Sequence, residues 1–356
     1  MNKFLKIFFL STIAVLAFNC EDDEELPALQ NIKINDFAEQ NVIDDKKIIN
    51  FLKYNYVEVI NNPGAANDQD VVVKELLFGN TATRIFDMPN LKSINVSDDG
   101  ITYKVYFLQL REGSGERPCN VDNVFMSYSG QVIQELATAG PVFDFSTNPQ
   151  TFLPFFGNNA VIRGFSEILP QFKTAIISKA ADGSNVYNDF GAGIMFIPSG
   201  LAYYNVKRGD NIPEYSPLMF KFKLFNLART DQDNDGIPSY LEDIKGVDND
   251  TADGYVYKAL QVLENGVLIN KYISDDDTDN DGIPDFVDVD DDNDLVSTKL
   301  ETSITGNLNG PFFPFNNILD DPLTPLNETQ IGIPDCSGNG INPTRKRKHL
   351  DGSCNR

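Results

Sequence analysis

The sequence has no tryptophan and a single histidine, His349. One imidazole removes most nucleophilic schemes, because a serine or cysteine nucleophile needs an imidazole base beside it. It also removes zinc sites built from several histidines. Positive charge is scarce: 29 lysines and arginines stand against 52 aspartates and glutamates, for a formal net charge of −23. That balance excludes nucleic acid as a partner, since a phosphate backbone selects clustered Lys and Arg. Cysteine occurs only at Cys20, Cys119, Cys336 and Cys354. Any catalysis must rest on aromatic, carboxylate and backbone groups.

What is present is unevenly spread. Residues 231–301 hold 21 acidic residues against 4 lysines, which is −17 of the total charge of −23. The 356 residues suffice for two or three modest domains. At the start, Lys3 and Lys6 precede an apolar run from Ile7 to Phe18. This is a charged region followed by a run of signal-peptide length, too short to span a bilayer comfortably. A buried N-terminal helix is the competing reading. With Leu16-Ala17-Phe18-Asn19-Cys20, the run resembles a bacterial lipoprotein signal, although Phe18 and Asn19 are bulkier than the small residues usual there. The resemblance implies removal of residues 1–19 and lipidation of Cys20. It implies an outer-membrane lipoprotein facing the periplasm or the cell surface, held by its lipid anchor. Glu21 to Glu25 open a tether at 20–35 that resembles the acidic tether of some Bacteroidetes surface lipoproteins; a plain solvated spacer is the alternative. An exported chain can keep disulfides. Cys336 and Cys354 lie close together in a Gly- and Pro-containing tail and are expected to pair, leaving Cys119 as a small buried residue.

Residues 36–99 form an N-terminal, partly helical region. Asp44 is placed to cap a turn, and Ile48, Ile49, Phe51 and Leu52 make an apolar stripe at helical spacing. From Gly100 the texture changes to β-branched and aromatic runs: Ile101 to Leu110, Val124 to Tyr128 and Leu218 to Leu227 read as strands. A short helix is expected at Ser166–Phe172. Strands with one short helix give the α+β class.

An ordered set of motifs runs through residues 100–228: Tyr128-Ser129-Gly130, Phe143-Asp144-Phe145-Ser146, Phe152 to Phe156, Val161-Ile162-Arg163-Gly164-Phe165, Ile197-Pro198-Ser199-Gly200-Leu201-Ala202-Tyr203, Ile212-Pro213 and Leu218-Met219-Phe220. In content and order they resemble an FKBP-type peptidyl-prolyl cis/trans isomerase. The resemblance implies an FKBP-like antiparallel sheet wrapped on a short helix. It implies a substrate pocket of Tyr128, Phe152, Val161, Phe165, Ile212 and Phe220 with catalytic Phe143, Asp144, Ile162 and Tyr203. The Ile162 N–H and the Tyr203 hydroxyl would hold substrate carbonyls, and Asp144 would lie beside the twisted one. Clients would be proline-containing polypeptides, with no cofactor for catalysis. The helical region at 36–99 is similar to the extension that some exported members use to dimerise. Three departures are plain. Phe165 stands where the family has Trp, Tyr204 stands where Gly follows the tyrosine, and residues 175–191 are inserted into a short connection.

Beyond the pocket, Asp231, Asp233, Asp235, Gly236 and Glu242 satisfy the D-x-D-x-D-G-x₅-E calcium pattern. Asp277, Asp279, Asp281, Gly282 and Asp288 repeat it. Asp290, Asp292, Asp294 and Glu301 repeat it again, with Leu295 in place of the glycine. Alternate carboxylates on a wrapping loop supply the oxygens of Ca²⁺, here structural. Pro238 and Pro284 block an EF-hand exit helix, so the stretch 229–301 resembles thrombospondin type 3 repeats, interrupted by an apolar, hairpin-like segment at 254–273. A solvated acidic linker is the bland alternative. The tail, 302–356, ends in the basic run Arg345 to His349, for which a solvated run is preferred over folding back onto the acidic array. Three functions compete: a lipid-anchored prolyl isomerase with a calcium-braced extension, a proline-binding module without turnover, and a spacer whose working part is the calcium array.

Overall fold

Residues 191–197 read Gly-Ala-Gly-Ile-Met-Phe-Ile, and all seven are buried. A run with no polar face belongs inside a sheet covered on both sides. The computed structural model places it there. The structure describes residues 35–98, 100–243, 255–264, 267–274, 276–315, 332–342 and 344–354. The expected signal, Cys20 and the acidic tether to residue 34 lie outside them.

In chain order the strands are β1 (Asn55–Val59), β2 (Val71–Glu75), β3 (Leu91–Asp98), β4 (Ile101–Arg111), β5 (Asn123–Ile133), β6 (Ala139–Ser146), β7 (Leu153–Pro154), β8 (Ile176–Lys179), β9 (Asn185–Asn188), β10 (Gly191–Ile197), β11 (Leu218–Ala228), β12 (Lys258–Glu264) and β13 (Val267–Ile273). One antiparallel sheet has the order β3-β4-β10-β11-β5-β6, and β7 also pairs with β5. β1–β2, β8–β9 and β12–β13 are separate hairpins. The last two occupy the stretches 175–191 and 254–273.

Strand alternation sorts the core into two layers. Phe107, Met195, Ile197, Phe220 and Phe222 pack with Phe165, Ile168, Leu169 and Phe172 of α2 (Arg163–Ile168) and the turn after it. Tyr106, Leu108, Ile194, Phe196 and Met219 pack with Ile48, Phe51 and Leu52 of α1 (Phe37–Tyr54). The fold is therefore α+β, a mostly antiparallel sheet with a few helices. A six-residue helix is unstable alone. Burial of its large side chains, at about 1.5–3 kcal/mol each, holds α2 in place. Gly193 makes the approach possible, since a Cβ there would meet the Phe172 ring at 2.9 Å.

Asp44 is not a cap. Asp36 caps α1, accepting from the N–H groups of Ala38 and Glu39. Asp44 lies inside the helix, fully buried, and accepts from Gln40 Nε2 at 2.8 Å and from the Ser199 backbone N–H at 2.7 Å. Burial pushes its carboxyl above the usual range, against the pull of those bonds. A tertiary bond to the 197–203 segment, not a local turn, is what this aspartate serves. The apolar stripe of α1 is covered by the chain's own sheet.

β11 runs into the acidic array without a free linker. Arg229 pairs with buried Asp122 at 2.6 Å, and the side chains of Thr230 and Gln232 donate to the Val121 carbonyl at 2.7 and 3.0 Å. The basic tail is not solvated. Cys336 is bonded to Cys354. Arg345, Arg347 and His349 are buried, and the Arg347 guanidinium lies 4.0 Å from the Phe315 ring centroid. The end of the tail reaches the acidic array at Gly352, where an added Cβ would fall 2.8 Å from the Asp292 carbonyl oxygen. The arginines are held by partners in the tail itself: Arg347 by the Phe315 face, and Arg345 by the Ile333 carbonyl, to which its Nε–H donates at 2.6 Å.

Candidate functional site

The site begins with a missing side chain. Gly130 on β5 lies opposite Phe220 on β11. A Cβ at Gly130 would fall 2.5 Å from the Phe220 ring and 2.8 Å from the Phe143 ring. Without it both rings close over the strand, and Phe165 from α2 comes against them. Ring centroids lie 4.8 Å apart for Phe165–Phe220, 5.6 Å for Phe143–Phe220, 6.1 Å for Tyr128–Phe165 and 6.2 Å for Tyr128–Phe220. All four pairs meet edge to face, the arrangement that ring quadrupoles favour. Phe165, Ile212 and Phe220 are buried; Tyr128, Phe143, Val161, Ile162 and Tyr203 are half-buried around them. The result is a dry aromatic floor with a partly open rim.

The polar groups sit on the rim. The Tyr128 hydroxyl donates to Asp144 Oδ2 at 3.0 Å. Burial, then that bond, pushes the Tyr128 phenol up to about 12. Burial also raises the Tyr203 phenol, with Arg208 pulling it down and Asp144 pushing it up. One exposed carboxylate therefore acts on both phenols. Arg208 was not among the residues expected here. Its guanidinium lies 5.1 Å from the Tyr203 ring centroid, and its backbone pairs with that of Ile212 at 3.0 and 3.3 Å, which closes the loop presenting Ile212. No motif marks it. Ile162 directly precedes α2, and no backbone acceptor for its N–H is found among the described residues.

Phe152 does not belong to this cluster. Its ring lies 5.3 Å from that of Phe125, which points to the face of β5 opposite Val124 and Met126. Pairing of Leu153 with Val124 fixes that side of the run, and Phe155 is the buried aromatic instead. Tyr204 has φ +47°, a left-handed conformation that glycine adopts without cost. In return its ring stacks on Phe37 at 4.3 Å and its hydroxyl donates to the Asn35 carbonyl. The residue that departs from the family pattern ties the start of α1 to the segment carrying Tyr203.

The three acidic loops share one hydrogen-bond plan. In each, the second N–H donates to the ninth side chain: Gln232 to Ser239 at 3.0 Å, Thr278 to Asp285 at 2.8 Å and Asp291 to Thr298 at 3.1 Å. In each, the sixth N–H donates to the first aspartate: Gly236 to Asp231, Gly282 to Asp277 and Leu295 to Asp290, at 3.0–3.1 Å. The sixth residues have φ of +101°, +95° and +74°, so Leu295 adopts the backbone of the glycine it replaces. Pro238 and Pro284 precede turns of one three-residue stretch each, and the third loop, with Ser297 there, leads into α3 (Thr298–Glu301).

Carboxylate oxygens of Asp231, Asp233 and Asp235 converge within 4.8 Å, as do those of Asp277, Asp279 and Asp281 and those of Asp290, Asp292 and Asp294. Asp233 Oδ2, Asp277 Oδ1, Asp290 Oδ1, Asp292 Oδ2 and Asp294 Oδ2 are buried without a hydrogen-bond partner. Such orphaned oxygens fit a hard cation. Burial raises Asp288, with Asp281 and Asp279 adding to it, and takes Glu301 up to about 8, with Asp292 and Asp294 adding to it. Each of these two therefore faces its own loop. Glu242 meets Asp235 and Asp291 within 4.8 Å, and Asp233 also acts on it, so it faces both the first loop and the third. Asp291 escaped the sequence pattern, which takes alternate residues.

The family described as BamM C-terminal matches residues 232–326. A probable FKBP-type peptidyl-prolyl cis-trans isomerase FkpA from Neisseria meningitidis serogroup B (strain ATCC BAA-335 / MC58) is 26% identical over 138 residues, 38% of this chain and 40% of that protein. The chain thus spans well under half the length of that relative. Among solved structures, a peptidyl-prolyl cis-trans isomerase from Pseudomonas syringae pv. tomato is 24% identical over 40% of this chain and 84% of its own, with a TM-score of 0.29. FkpA from Escherichia coli is 24% identical over 40% of this chain and 53% of its own, with a TM-score of 0.27. The chain has partial, low-identity homology to FKBP-type isomerases.

Proposed function

We propose that residues 100–228 isomerise X–Pro bonds of exported polypeptides, that Cys20 carries a lipid anchor, and that Ca²⁺ braces residues 231–301. The observation that supports the first part most is the dry floor of Phe165 and Phe220 beneath a rim bearing Tyr128, Asp144 and Tyr203. The X–Pro amide is held planar by resonance, with a barrier of about 18–20 kcal/mol. No covalent bond is broken, so neither nucleophile nor metal is needed. The twisted amide has lost resonance and its carbonyl is less polar. An apolar floor therefore favours it over the planar form, and only such differential binding accelerates the step. In this reading the Ile162 N–H and the Tyr203 hydroxyl hold substrate carbonyls, and Asp144 lies beside the twisted one. The outer-membrane location is supported by the Leu16–Cys20 motif. Calcium is supported by the converging, unpartnered carboxylates.

Phe165, smaller than the family's Trp, favours a second reading, in which the floor grips proline without turning it over. A protease-coupled assay of the full chain on a proline peptide series separates the two. Turnover should fall about tenfold or more, at ~1.4 kcal/mol per decade, when Asp144→Ala and Tyr203→Phe are combined. Turnover equal in that double variant and the native chain sinks the isomerase reading of this site. Peptide binding with no turnover establishes the second.

A further inference from the structure

We propose that Asp235, Glu242 and Asp291 form a divalent-cation site of their own, for Ca²⁺, which joins the first acidic loop to the third. This rests on reading the loops as calcium sites and adds a ligand from outside the loop pattern. One carboxylate oxygen from each of the three residues lies within 4.8 Å of the others. The residues are 2%, 6% and 1% exposed. Asp235 Oδ2, both Glu242 oxygens and both Asp291 oxygens are buried with no hydrogen-bond partner. An unpaired buried carboxylate is among the costliest groups a fold can hold. Five unpartnered oxygens from three such groups call for a counter-charge, and a donor set of oxygens alone suits Ca²⁺ over softer metals.

Local geometry explains how Asp291 comes to be there. Asp290, Asp292 and Asp294 turn toward the third loop's own centre. Asp291 lies between the first two, so alternation turns it the other way. Its backbone N–H is held by Thr298 Oγ1, which leaves the carboxylate to face the first loop. The same position holds Gln232 in the first loop and Thr278 in the second. The Gln232 amide donates to Val121 O and Thr230 Oγ1, and the Thr278 hydroxyl donates to Asp285 Oδ2. Of the three loops, the third alone puts an acid at this place, opposite Glu242. On the first loop, Asp235 Oδ1 already accepts the Ile237 N–H at 2.7 Å, and its second oxygen is the one left over. The two loops are also docked by Thr302 Oγ1, which donates to the Asp235 carbonyl at 2.8 Å, and by the Lys299 ammonium, which donates to the Asn234 carbonyl and reaches neither Glu242 nor Asp291 by any hydrogen bond found among the described residues. The three carboxylates are thus pre-set around one point.

Calcium binding to the full chain, stripped of metal by chelator dialysis and measured by equilibrium dialysis, tests this. Asp291→Asn should lose one bound equivalent. Glu242→Gln should lose the same one, so the double variant loses no more than either single variant. Asp290→Asn removes a ligand of the third loop's own centre, and its loss should add to that of Asp291→Asn. Native stoichiometry and affinity in Asp291→Asn overturn the proposal while leaving the loop sites standing. Additive losses in Asp291→Asn and Glu242→Gln overturn it as well. A native chain that binds no Ca²⁺ overturns the calcium reading and this site together.

Discussion

Gly130 shapes the candidate site by taking no space. Gly130→Ala would drive a methyl group into Phe220 and Phe143. Overpacking of this kind costs about 1–3 kcal/mol, which denaturant unfolding should register, and turnover should fall because the rings part. Native stability in this variant would show that the rings move aside freely. The sequence announces Tyr128, Phe143, Phe165, Ile212 and Phe220 because short motifs fix their neighbours. It does not announce Phe152's place. The run Phe152 to Phe156 has aromatics at three positions, and only the pairing of Leu153 with Val124 decides which turns inward. Arg208 carries no signal either, since it enters through a loop closure with Ile212.

Among elements, the acidic loops are the most legible, because the spacing of their aspartates and their turn residues lie within a dozen residues. Their one local conflict is Leu295. It is 90% exposed and holds φ +74°. A left-handed conformation costs a residue with a Cβ about 1–2 kcal/mol, and an exposed leucine recovers little of it. Leu295→Gly should therefore raise the stability of the metal-loaded extension by about 1 kcal/mol, seen as a later thermal transition. An earlier transition would mean that Leu295 has a packing role. α1 was legible from its apolar stripe, but the purpose of Asp44 was not. Its partner, the Ser199 N–H, is 155 residues away in sequence, and no local pattern encodes such a bond.

For the whole molecule, the basic tail decides a pH dependence. Burial, then Arg347, Lys348 and Arg345, hold the His349 imidazole down at about 3. The usual value is about 6.5. The unfolded chain binds a proton that the folded chain refuses, so stability from this group is complete above pH ~6.5 and falls as pH drops toward ~3. The slope is about 1.4 kcal/mol per unit. Melts of the calcium-loaded chain between neutral and mildly acid pH should show this slope, and His349→Asn should remove it. An equal slope in both chains would place the acid sensitivity elsewhere. The fold-back itself was hidden in the sequence, where a basic run beside an acidic one reads equally well as two solvated surfaces.

β11 carries Phe220 near one end, and Asp231 follows its other end by three residues, clamped to the loop at 119–122. At about 3.3 Å per residue, the strand from Phe220 to Ala228 sets about 26 Å between them. A segment of chain resting on the aromatic floor therefore stands at a set distance and angle from the acidic loops. The strand is a ruler between them, and a partner touching both ends must match its length.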